Sequence, residues 1–118
     1  MVYDLVIAND QLVVLHEITS GPTAHFTVFD LKTGLQTSTC PVAEDIQSLS
    51  YPFLTFDSFS NLILLTCFSH VSTYDISDLT NRQNCYVFPK EMMYAKIRVG
   101  YDGTFYALSL TSNQLYLL

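Results

Sequence analysis

The stretch Phe53-Leu-Thr-Phe-Asp57-Ser-Phe-Ser-Asn61-Leu-Ile-Leu-Leu65-Thr-Cys67-Phe-Ser-His70-Val-Ser-Thr-Tyr74-Asp75-Ile76 decides the fold of this chain. Two short apolar runs, Phe53 to Phe56 and Leu62 to Cys67, flank a polar turn with Asp57 and Asn61. A third run, His70 to Ile76, follows after only Phe68 and Ser69. Short runs rich in β-branched and aromatic residues, bounded by turn formers, predict strands. Helical spacing is sustained nowhere.

Working outward from this stretch, the same pattern recurs. It predicts strands at Asp4 to Ala8, Leu12 to His16, His25 to Leu31, Leu35 to Cys40, Asn84 to Phe88, Lys96 to Tyr101, Thr104 to Leu110 and Gln114 to Leu118. With the three above, that makes eleven strands. Evenly spaced strands call for a search for internal repeats. Phe29-Asp30-Leu31 and Tyr74-Asp75-Ile76 share one pattern at an offset of 45 residues (75 − 30). The same offset relates His25 to His70 and Cys40 to Cys85. A turn before a very apolar strand repeats upstream, at Asn9-Asp10, Ser60-Asn61 and Asp102-Gly103, and aligns Leu12, Leu62 and Phe105. Asp102-Gly103 is a hairpin signal, because glycine accepts the positive φ of a tight turn.

Each unit thus holds four antiparallel strands, which is the blade of a β-propeller. The expected fold is all-β, with about 2.5 to 3 four-stranded blades where closed rings use four or more. The approximate blades are residues 4–47, 48–94 and an incomplete 95–118. On this reading, remaining blades or an oligomer would close the ring. The alternative is a compact β-sandwich or barrel in which the repeat is a duplicated hairpin.

Composition fits sheets covered on both faces. Hydrophobic residues make up 49% of the 118 and charged residues only 14%, against roughly a quarter in ordinary soluble domains. No apolar run approaches the 18 or more residues of a membrane span, and Met1-Val2-Tyr3-Asp4 lacks the features of an export signal. A net charge of −6 opposes nucleic-acid binding. Cys40, Cys67 and Cys85 are widely spaced and form no Cys-x-x-Cys pair, so reduced thiols in the cytoplasm are expected.

The segments Phe53 to Leu65 and Ile97-Arg-Val-Gly-Tyr-Asp102-Gly103-Thr-Phe-Tyr-Ala107 resemble NHL-type propeller repeats, which favour Asp, then Gly or Asn, then an apolar strand. Val28-Phe29-Asp30-Leu31-Lys32-Thr33-Gly34 is similar to a turn of YVTN and quinoprotein-type propellers. The chain has no Trp, so the Trp-Asp ending of WD repeats is absent. The resemblance implies a rigid platform for proteins or peptides, and fold alone does not establish function.

Catalytic signatures are missing: there is no Gly-x-Ser-x-Gly and no phosphate-cradling glycine loop. His16-Glu17 begins like a zincin motif, but position 20 is Ser and the segment reads as strand. Asp30, Asp75, Asp102 and Gly103 are read as structural turn residues, the carboxylates accepting backbone N–H bonds. Cys67 is expected to be a buried small hydrophobe. If the units are blades, loops on one face gather Glu17, Glu44, Asp45, Phe68, His70, Met92 and Tyr94. Such a rim suits a basic or apolar protein partner.

The expected function is therefore a non-enzymatic protein-interaction scaffold in the cytoplasm, with no cofactor, no metal, no nucleic acid and no membrane. The alternative is a propeller-type metal-dependent hydrolase or lactonase. It would need carboxylates on the first strands, yet Leu5 to Ala8, Phe53 to Phe56 and Ile97 to Val99 contain no Asp, Glu or Asn.

Overall fold

A computed structural model describes residues 1–18, 24–44, 52–92, 95–109 and 114–117. Eleven strands run through these residues in three antiparallel sheets. The first sheet is a meander of β1 (Val2–Ala8), β2 (Gln11–Glu17), β3 (Ala24–Asp30) and β4 (Gln36–Pro41). The second repeats that order with β5 (Phe53–Asp57), β6 (Leu62–Thr66), β7 (His70–Asp75) and β8 (Asp78–Val87). The third contains β9 (Ala95–Val99), β10 (Phe105–Ser109) and β11 (Leu115–Leu117). A short 3₁₀ turn, Lys90–Met92, precedes β9. The protein is all-β, its sheets are open, and no helix among the described residues is long and apolar enough to cross a membrane.

The sheets stack face to face, the second between the other two. Phe26 of β3 meets Tyr74 of β7 edge to face, with ring centroids 5.1 Å apart, a favourable aromatic geometry. One core joins Val13, Leu15, Phe26 and Val28 to Leu54, Ile63, Leu65 and Tyr74. A second core joins Leu64 and Val71 to Ile97 and Ala107. Successive residues of a strand face opposite ways, so β6 is buried on both sides, and Ile63, Leu64 and Leu65 are all 0% exposed. β1 lies against β5, and β5 against β9.

Local chemistry sets the turns. Asn9 (φ 59°) and Asn61 (φ 57°) take the left-handed conformation that opens β2 and β6, which Asn tolerates better than most residues. Gly103 does the same at φ 81° before β10. The fourth strands are polar edges: β4 and β8 are exposed along nearly their whole length, and such polarity blunts an edge against further pairing.

Three expectations shift. Cys40 matches Tyr86 and not Cys85, since Cys40 lies opposite Phe26 and Tyr86 opposite Val71, the equivalent residue of β7. The fourth strand of the second unit begins at Asp78 rather than Asn84, because Asp75 pairs directly with Asp78 across a two-residue turn. Its polar start is strand on an exposed edge. Register also moves by one residue: Gln11 lies opposite Asp30 as Leu62 lies opposite Asp75. Leu12 therefore corresponds to Ile63, the four-residue turn Ser58 to Asn61 having replaced the two-residue turn Asn9-Asp10. A slip of one residue changes the face on which a side chain lies.

Candidate functional site

The most elaborate polar cluster lies where the first sheet hands over to the second. After β4 the chain continues its ladder once more, with Val42 N–H donating to the Ala24 carbonyl at 2.9 Å. Val42 itself is buried. Two residues on, Glu44 sends its carboxylate onto one face of β7. His70, Ser72 and Tyr74 alternate along that strand and so share the face. His70 Nε2 donates to Glu44 Oε1 at 2.8 Å, Ser72 Oγ to the same oxygen at 2.5 Å, and Tyr74 Oη to Oε2 at 2.8 Å. Arg82 of β8 stands 3.5 Å from Oε1.

The Glu44 side chain is only 1% exposed. A buried carboxylate is costly unless it is well supplied with donors, and these residues supply them. Burial, reinforced by the Glu44 charge, holds the Tyr74 hydroxyl far above its ordinary pKa, so it remains a donor. Burial is also the main cause that pushes the Cys67 thiol up, with Glu44 and Cys85 adding to it.

The ligand atoms of Glu44, Cys67 and His70 lie within 4.8 Å of one another. Sulfur, imidazole and carboxylate together would suit zinc. However, both Glu44 oxygens already accept hydrogen bonds from protein donors. As built, the cluster is an anchor that fastens the link after β4 to the second sheet.

Three of the expected rim residues are thus inside the molecule: Glu44 by its side chain, His70 and Met92 by their burial. Glu17 and Phe68 are half-buried, at the end of β2 and between β6 and β7. Asp45 and Tyr94 lie outside the described residues. Burial, aided by the Glu17 carboxylate, raises the pKa of the Tyr3 hydroxyl. The expected turn residues act locally: Asp30 Oδ1 accepts from Lys32 N–H at 2.7 Å, Asp75 Oδ1 from Ser77 N–H at 2.9 Å, and Asp102 Oδ1 from Thr104 N–H at 3.0 Å.

A cleft of about 740 Å³ runs along the first strands, with walls that include Leu5, Phe53 and Thr55; sequence reasoning weighed these strands as a ligand site but missed Asp4, Lys96 and Arg98 there. Asp4 is its carboxylate. Its Oδ2 accepts from Leu54 N–H at 2.7 Å and its Oδ1 from Leu5 N–H at 2.8 Å, so it ties β1 to β5. Lys96 sits 5.0 Å from the centroid of the Phe53 ring, within cation–π range. Arg98 donates to the Ile97 carbonyl at 2.9 Å. The signal was available in the repeated first-strand segments, where basic residues alternate with apolar ones in Lys96-Ile97-Arg98. No protein-family model matches the chain, and no curated protein matches it.

Proposed function

We propose that the three sheets are blades of a β-propeller and that the chain is a non-enzymatic protein-interaction scaffold. The observation that carries the reading is the stacking of like meanders with first strands neighbouring: β1 and β5 are in broader contact than β4 and β8. That arrangement supports a fan with first strands innermost. A protein partner, rather than nucleic acid or membrane, agrees with the net charge of −6. The cleft with Lys96, Arg98 and Phe53 offers cationic and aromatic groups to an acidic segment of that partner.

The hydrolase alternative finds little support in the cleft: Asp4 is its carboxylate, and both oxygens are engaged by backbone N–H groups. Calorimetric titration with Ca²⁺ and Zn²⁺, alongside lactone and ester hydrolysis assays, tests this. The expected result is neither tight binding nor turnover; metal-dependent turnover would overturn the scaffold reading. Photo-cross-linking from a probe at Ser58, an exposed residue of the cleft wall, should give a protein adduct that Arg98→Glu removes.

A further inference from the structure

The two outer faces of the stack correspond, position by position in the strand register, to the two halves of the interfaces inside it. Strand register defines the correspondence. Asp30 and Asp75 lie opposite Gln11 and Leu62, and Ala8 and Asp57 opposite the same pair. In the third sheet, Ser109 N–H donates to the Gln114 carbonyl as Cys67 N–H does to His70. Ser109 therefore matches Cys67, and Gln114 matches His70.

Each sheet then has a front and a back. The front of the second sheet, Leu54, Ile63, Leu65 and Tyr74, is buried beneath the first sheet. Its counterparts in the first sheet are Leu5, Leu12, Val14 and Phe29, with Ile7 matching Phe56. Leu5 is 54% exposed and Ile7 61%, whereas Leu54 is 5%. The back of the first sheet, Val13, Leu15, Phe26 and Val28, is buried against the second. Its counterparts in the third sheet are Tyr106, Leu108, Leu115 and Leu117. Leu115 is 66% exposed and Leu117 72%. Lys96 and Arg98 stand beside them on β9, at positions where the second sheet has Phe53 and Thr55.

Exposed apolar side chains gathered on one sheet face mark an interaction surface. We infer that the back of the third sheet docks on the front of the first sheet of a second copy of this chain, continuing the interface already made twice within it. A second copy fits because the two faces are the complementary halves of that repeated contact. The pairing is heterologous, so it propagates head to tail and gives a ring if the rotation closes or a filament if it does not. It deepens the proposed scaffold reading by naming a partner, yet it rests on sheet register and not on the fan.

Complementation between face variants tests it. Ile7→Lys breaks the front and Leu117→Lys breaks the back, each at an exposed side chain. Circular dichroism should show both variants folded. By light scattering coupled to size exclusion, the unsubstituted chain should exceed the monomer mass as concentration rises. Each variant alone should run as a monomer, and their equimolar mixture should run at twice the monomer mass and no higher. A monomeric unsubstituted chain at every concentration overturns the inference. So does either variant dimerising alone, which would mean front-to-front or back-to-back contact, or association that neither substitution changes. A filament built by the unsubstituted chain would leave this inference standing while counting against a closing propeller.

Discussion

Glu44 shows what one side chain does when the chain folds it out of water. Its carboxylate takes hydrogen bonds from His70, Ser72 and Tyr74, residues 26, 28 and 30 positions away. Glu44→Ala would leave those buried donors without their acceptor, and the expected loss is about 3 kcal/mol by urea unfolding. Glu44→Gln keeps one oxygen acceptor and should lose less; equal losses would mean that the carboxylate is not the anchor. The thiols report the same packing. Burial raises the Cys67 pKa strongly, and burial with the Asp78 charge raises that of Cys40, while Cys85 is exposed. Under a thiol reagent at mildly alkaline pH, Cys85 should react first, Cys40 more slowly and Cys67 only on unfolding. The thiol order was half legible, since Cys67 lies in the most apolar run. The destination of Glu44 was not, because no local pattern links it to β7.

At the scale of strands and turns, the sequence speaks more directly. All eleven expected strands are present, because the period-two alternation and the turn residues act within a few positions of one another. Asn9 illustrates the turn chemistry. Asn9→Val should cost about 1–2 kcal/mol, because a β-branched side chain lacks the short polar group that lets Asn tolerate positive φ, whereas Asn9→Gly should be close to neutral; equilibrium unfolding would distinguish them. The Asp turns add a pH dependence. The Ser77 hydroxyl holds the Asp75 carboxyl below its ordinary pKa, the Thr80 hydroxyl does so for Asp78, and the Thr104 backbone N–H for Asp102. A folded pKa below the unfolded one stabilises above the unfolded value, about 3.9 for Asp, and the gain fades as pH falls through the folded value. The stability gap between the unsubstituted chain and a variant with Asn at all three sites should therefore be flat near neutrality and shrink only below about pH 4. What misled at this scale was β8, whose polar first half resembles a loop because an exposed edge strand needs no apolar face.

At the scale of the whole molecule, stability resides between sheets. Phe26 is fully buried against Tyr74 and belongs to the core that joins the first sheet to the second. Phe26→Ala should cost about 3–5 kcal/mol, read as an earlier midpoint in denaturant, and far more than Tyr101→Ala at a fully exposed ring. The sequence by itself determined strands, turns and the repeat, for these depend on side-chain alternation and on hydrogen bonds that close within a few residues. Only the tertiary structure decided which faces are covered. Leu12 and Val14 read much like Ile63 and Leu65, yet the first pair is half-buried and the second wholly buried. The difference lies in the neighbouring sheet, whose position no strand encodes.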